Sequence, residues 1–217
     1  MKRYRLPRLY KLNQLRRKHI IEILENFERE NVLNPEKNLP LDLFIRYYFL
    51  DNKIISPPDR AKIVDYVYSL TSYKLYLSAI SKQPLNWNKR LDAFMSPRFE
   101  ENFYNGQIPP NIRASFPEDL YNLMVEAYGD KEAFDMCQIL NERPPLTVRT
   151  NTMKITRHDL LKKFRKRKFS VEKCLHSPMG LQFMKRPKTN FFSLPEYTRG
   201  FFEIQDEGSQ LVSMRVD

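Results

Sequence analysis

Lys162, Lys163, Phe164, Arg165, Lys166, Arg167 and Lys168 form a run in which every position but Phe164 is cationic. The chemistry open to such a run is phosphate neutralisation. Each Lys or Arg brought to a polyanion releases condensed counterions, and such contacts position the polymer without reading its sequence. Lys154, Arg157, Lys173, Lys185, Arg186 and Lys188 lie close by in the chain and would widen the same face. Residues 1–18 are a second basic stretch, with no acid in it. Phe191, Phe192, Tyr197, Phe201 and Phe202 follow the run, and aromatic rings set among cations stack on unpaired bases. Each signal also has a plainer reading. Cations in a last helical turn complement the helix dipole, a charge run can be a solvated face, and aromatics near strands fill cores. The formal charge of +11 favours a polyanionic partner, RNA or DNA, over charge carried for solubility alone.

Other chemistries are poorly served. The glycines, Gly106, Gly129, Gly180, Gly200 and Gly208, are scattered, so neither a Gly-x-Gly turn nor a P-loop can be written. Cys137 falls on a predicted helix face and Cys174 in a predicted strand, which reads as two small buried apolar residues rather than nucleophiles. His19, His158 and His176 share no metal-ligand spacing with them. Two cysteines in 217 residues suit a reducing compartment, so the cytoplasm is the expected location, or the nucleus or an organelle in a eukaryote. Neither a stretch of about 18 apolar residues nor a signal-peptide core is present, and no membrane association is expected.

The elements that must position the basic run come from hydrophobic period and punctuation. Helices are predicted on Leu15, Ile20, Ile23, Leu24 and Phe27, and on Leu41, Phe44, Ile45 and Tyr48. A third starts at Ser56, with Pro57 at the first helical position and Asp59 three residues on, and continues through Leu75, Leu77 and Ile80. Short helical pieces at 87–95 and 100–104 sit in a proline-punctuated stretch. A helix after Pro117 should turn Leu120, Leu123, Met124 and Ala127 inward, and one after Asp130 should bury Ala133, Phe134, Cys137 and Leu140. Beyond Pro145 the period becomes two. Residues 146–150 alternate as a strand, Thr156 caps a helix with Leu160, Leu161 and Phe164 inside, and strands at 169–175 and 181–184 close a hairpin. A short helix at 195–198 and a strand at 201–204 complete a βαββ-like unit. The fold class is therefore mainly helical, then α+β.

Two segments carry a resemblance. Pro144-Pro145-Leu146-Thr147-Val148-Arg149-Thr150-Asn151-Thr152 and Gln205-Asp206-Glu207-Gly208-Ser209-Gln210 resemble the RsmB/Nop (Sun) family of RNA cytosine-5 methyltransferases. There a Pro-Leu-x-x-Arg-x-Asn strand opens a small RNA-binding subdomain, and a Gln-Asp-Glu-x-Ser-Gln segment leads into the S-adenosylmethionine domain. Upstream, Phe44-Ile45-Arg46-Tyr47-Tyr48-Phe49, Asp59-Arg60 and Val64-Asp65-Tyr66-Val67-Tyr68 are similar to the NusB-like helical domain of several bacterial members. The resemblance implies a NusB-like domain over 1–142, an α+β RNA-binding subdomain over 143–205, and the start of the methyltransferase domain over 206–217. It also implies ribosomal RNA as partner, and S-adenosylmethionine as cofactor of the complete family enzyme but not of this stretch. Arg149 and Asn151 match the family's Arg-x-Asn, which implies a role at the junction with RNA or the catalytic domain. An Arg paired to a carboxylate and an Asn closing a turn fit the same positions equally well.

The family's thiol chemistry, one cysteine adding to the pyrimidine and a second assisting release, has no counterpart motif around Cys137 or Cys174. The expectation is an RNA-recruiting region without catalytic residues, its RNA contacts at Arg149, Asn151, Lys162, Lys163, Arg165, Lys166, Arg167 and Lys168. A stand-alone RNA-binding module and a protein-interaction scaffold are the alternatives. A final helix carrying Leu211, Val212 and Met214 is expected to make few core contacts, whereas the strand at 201–204 should be packed.

Overall fold

A computed structural model describes residues 12–37, 39–104, 106–187 and 189–215. The basic stretch at 1–18 therefore lies mostly outside the described residues, as does Lys188. The chain divides into two compact units, Met1–Glu142 and Arg143–Asp217.

The first unit is helical: α1 (Gln14–Leu33), α2 (Leu41–Asp51), α3 (Pro57–Ser72), α4 (Lys74–Ile80), α5 (Trp87–Met95), α6 (Arg98–Tyr104), α7 (Pro110–Ala114), α8 (Glu118–Tyr128) and α9 (Asp130–Asn141). Caps set several of the starts. Asn13 accepts the Arg16 amide at the head of α1. Ser56 and Asp59 bond reciprocally at the head of α3, amide to hydroxyl at 3.3 Å and hydroxyl to carboxylate at 2.7 Å. Arg16 Nε reaches Asp59 Oδ1 at 2.7 Å and ties α1 to α3. The main core gathers Ile20, Ile23 and Leu24 with Ile63, Val67, Leu70 and Leu77, and extends through Tyr73, Tyr76, Phe99 and Phe103. Those rings meet edge to face at 5.2–5.6 Å, the geometry their quadrupoles favour.

Several expected faces are corrected. Leu15 is exposed, and the helix predicted through Ile80 breaks at Tyr73, leaving Leu75 outward. Helix α8 turns Tyr121 inward, with Met124 and Val125 half-buried beside Cys137, while Leu120, Leu123 and Ala127 face outward. Leu140 of α9 is exposed as well. The segment Leu-Tyr-Asn-Leu-Met-Val offers two apolar stripes one residue apart, about 100° around the helix, and only the neighbouring elements select between them.

The second unit comprises β1 (Leu146–Thr150), α10 (Arg157–Lys166), β2 (Val171–Lys173), β3 (Gly180–Phe183), a 3-10 turn (Phe191–Ser193), α11 (Pro195–Thr198), β4 (Phe202–Ile204) and α12 (Glu207–Ser213). The four-stranded sheet has order β2-β3-β1-β4, and its neighbours pair antiparallel. The register sets Val148 opposite both Leu181 and Ile204. One sheet face carries the core, where Leu160, Leu161 and Phe164 of α10 meet Val148, Leu181, Phe183, Phe191 and Phe202. The strand expected at 169–175 is only Val171–Lys173, because beyond Lys173 the chain turns toward β3. The strand expected at 201–204 buries Phe202 but leaves Ile204 exposed at the sheet edge.

Candidate nucleic-acid interface

The basic run is laid out by α10 and the turn that ends it. Thr156 caps the helix, accepting the Asp159 amide at 3.1 Å while its hydroxyl donates to the Asp159 carboxylate at 2.7 Å. Leu160, Leu161 and Phe164 face the core, so helical geometry sends Lys162, Lys163, Arg165 and Lys166 outward, and all four are exposed. The helix stops in a Schellman motif. Lys168 takes a left-handed backbone with φ of 61°, its amide donates to Arg165 O, and the Phe169 amide donates to Phe164 O. The hydrophobic contact that accompanies such a cap is present, with the Phe164 and Phe169 rings 6.0 Å apart. Glycine is the usual occupant of this position because a Cβ there crowds the backbone. A lysine holds it here.

The six cations of the run are not equivalent. Arg167 Nε lies 3.1 Å from both carboxylate oxygens of Glu196, a buried acid on α11. Arg165 donates to the Val171 carbonyl at 3.4 Å. These two arginines serve first as ties that hold the helix end to α11 and β2. Lys162, Lys163, Lys166 and Lys168 are exposed and form no ion pair among the described residues. Of the nearby cations, Lys154 donates to the Arg199 carbonyl and Arg157 to the Ser177 carbonyl, whereas Lys173, Lys185 and Arg186 are exposed.

Arg149 and Asn151 part company. Asn151 is consumed by the turn after β1: its amide donates to Phe201 O, its side-chain nitrogen to Gly200 O at 3.0 Å, and its side-chain oxygen accepts the Met153 amide. This is the turn-closing reading of the residue. Arg149 is half-buried on the sheet face away from the aromatic core, between Gly180 and Glu203 in register.

In the segment from Gln205 to Gln210, what sequence reading missed is the reach of Glu207 and Gln210 to the β2–β3 connection. Asp206 caps α12, its carboxylate accepting the Gly208 and Ser209 amides. Glu207 then reaches across to accept the His176 and Ser177 amides at 2.6 and 2.8 Å, clamping the β2–β3 connection. Gln210, 0% exposed, accepts the Ser177 hydroxyl at 2.7 Å and donates to the Gln205 carbonyl at 3.0 Å. A Cβ on Gly180 would stand 2.6 Å from Cys174 Sγ and 3.0 Å from Gln210 Oε1, so the strand needs glycine where α12 crosses it. The available signal was the spacing: Glu207 and Gln210 lie three apart and share a helix face. Of the residues predicted to lack a partner, Leu211 is half-buried, while Val212 and Met214 are exposed. The helix is held through its polar side.

Neither cysteine is poised as a thiolate. Burial first, and the Glu207 carboxylate second, push the Cys174 thiol up to about 11. Burial raises Cys137 too. His19 lies in a chain of bonds with Tyr48 and Glu22 inside the helical unit, while His158 and His176 are exposed. Among the described residues no cluster of His, Cys, Asp and Glu could hold a metal ion, and no helix is long and apolar enough to cross a membrane.

Comparison with known proteins bears on this geometry. Residues 116–189 match the sequence model of the RsmF/B-like methyltransferase ferredoxin-like domain, a range that contains the whole basic run. A probable ribosomal RNA small subunit methyltransferase B of Synechocystis is 27% identical over 100 residues, covering 46% of this chain and 22% of that protein. The chain thus spans about a fifth of the length of this relative. The crystal structure of PH0851 aligns over 95% of this chain and 56% of its own, with a TM-score of 0.57 at 15% identity, a likeness of fold. A methyltransferase homologue from Pyrococcus horikoshii aligns over 51% of this chain and 33% of its own, with a TM-score of 0.39 at 22% identity.

Proposed function

We propose that this chain, which carries the N-terminal region of an RsmB/Nop-family protein, binds ribosomal RNA and positions it for a methyltransferase domain. The observation that supports this most is the outer face of α10. Lys162, Lys163 and Lys166 stand exposed there on a helix fixed at both ends, and Lys168 in the turn that closes it, with charge to spare beyond what the helix dipole uses. A rigid row of lysines neutralises a phosphate backbone without reading bases, which suits a recruiting role. The two arginines of the run act by holding the row in place. The helical unit joins this proposal as a NusB-like domain, on the aromatic and Asp-Arg segments that resemble one.

Methyl transfer is not assigned to these residues. S-adenosylmethionine requires a strand-to-helix turn whose backbone approaches the ligand and offers free amides. The β4-to-α12 step does not fit, since the Asp206 carboxylate already takes the Gly208 and Ser209 amides.

The test is RNA affinity measured against salt. The fourfold variant Lys162→Ala/Lys163→Ala/Lys166→Ala/Lys168→Ala should flatten the slope of log affinity against log salt by roughly 0.7–0.9 for each phosphate left without its cation. An unchanged slope would remove α10 from the interface.

A further inference from the structure

We infer that Phe192 is a stacking platform for one unpaired nucleobase, on the same α+β unit as the lysine row. The inference rests on the RNA-binding reading and adds that the RNA is single-stranded at this point.

The 3-10 turn sorts the neighbouring aromatics. Phe191 points inward, 4.9 Å from Phe183 and 6.2 Å from Phe202 between ring centres. Phe202 is buried, and Tyr197 and Phe201 are half-buried. Phe192 is 61% exposed. It is nonetheless held. The Asn190 side chain accepts its amide at 3.1 Å, and Tyr197 meets its ring at 5.1 Å and 87°. An edge-to-face contact braces an aromatic side chain, and a braced ring loses little entropy when a base stacks on it.

The turn is also tied to the lysine row. Tyr197 follows Glu196 on α11, and Glu196 holds Arg167, the residue between Lys166 and Lys168. The ring is thereby linked to the cations through Tyr197 and the Glu196–Arg167 pair. In the chain next to Phe192 and its partner Tyr197 the exposed residues include Thr189, Asn190, Ser193, Thr198 and Arg199. A protein-docking site calls for a contiguous apolar patch. A single exposed aromatic among polar residues, on a unit that also carries an exposed lysine row, has instead the composition of a single-strand nucleic-acid site, where cations follow the backbone and a ring takes a base.

The experiment compares labelled single-stranded oligouridylate with an RNA duplex of equal length, by fluorescence anisotropy on the full chain. Phe192→Ala and Phe192→Leu should each weaken single-strand binding about fivefold or more, while Phe192→Trp retains it. Duplex affinity should change less than about twofold in all three variants. Leu keeps apolar bulk without a π-face, so wild-type single-strand binding by Phe192→Leu would overturn the stacking role. Equal weakening on duplex and single strand would overturn it too. If the wild-type chain binds neither RNA, the RNA-binding reading fails and this inference fails with it. If the wild type binds and its salt slope responds to the lysines while Phe192 variants are neutral, the stacking role alone is refuted.

Discussion

Lys168 offers a direct test of whether this turn was kept for its charge. Its φ of 61° places a Cβ-bearing residue in the left-handed region, at the position of the Schellman cap where glycine is strain-free. The informative comparison is Lys168→Gly against Lys168→Ala. Both remove the same charge from the end of α10, so the dipole contribution cancels between them. Alanine retains the steric cost of a left-handed backbone, roughly 1–2 kcal/mol. Glycine escapes that cost but has a more disordered unfolded state, which offsets roughly 0.4–1 kcal/mol. The α+β unit of the glycine variant should therefore be the more stable by roughly 0.5–1 kcal/mol. Hydrogen exchange at the β1 and β3 amides reads this directly, because those central strands open with the unit as a whole. The two variants should bind RNA alike, each with a salt slope lower than wild type by roughly 0.7–0.9 if Lys168 meets a phosphate. An alanine variant as stable as the glycine variant would refute the strained cap. A wild-type slope in both would refute the reason proposed for keeping a lysine there.

Three further expectations concern the other face of the sheet. Gln210→Ala deletes the group that satisfies the Ser177 hydroxyl and the Gln205 carbonyl. It should cost about 1–3 kcal/mol and free α12 first, so proteolysis should cut within 207–215 before the sheet unfolds, and unchanged cleavage would count against the clamp. Burial pushes the Cys174 thiol up to about 11 in the fold, against an ordinary 9.0. A raised folded value means its contribution is full below pH 9 and is lost as pH rises toward 11, so Cys174→Ala should flatten the alkaline arm of the stability curve in that window. Alkylation of native Cys174 at about pH 8 should correspondingly be slow, and rapid labelling would contradict the burial.

Much of this protein is local and therefore legible in its residues. Ser56-Pro57 and Thr156 mark helix starts because capping involves only the next three residues. The change of period at Pro145 divides helices from strands for the same reason, and Leu160, Leu161 and Phe164 leave no choice about which face of α10 turns inward. That alone sends Lys162, Lys163 and Lys166 outward. The resemblance at residues 144–152 and 205–210 likewise rests on contiguous residues. What tertiary structure alone decided concerns partners distant in sequence. Helix α8 offers two equivalent apolar stripes, and packing against α7 and α9 chose Tyr121 over Leu120. Arg167 and Lys168 are adjacent cations in the chain, yet a carboxylate almost thirty positions away, Glu196, makes one a tie and leaves the other exposed. Phe191 and Phe192 are chemically identical neighbours, sorted into core and surface by a 3-10 turn. Glu207 and Gln210 look like ordinary polar helix residues until the β2–β3 connection comes within hydrogen-bonding reach. Periodicity and capping are written within a few residues of the chain, whereas the satisfaction of a buried charge or amide depends on which distant backbone the fold brings to it.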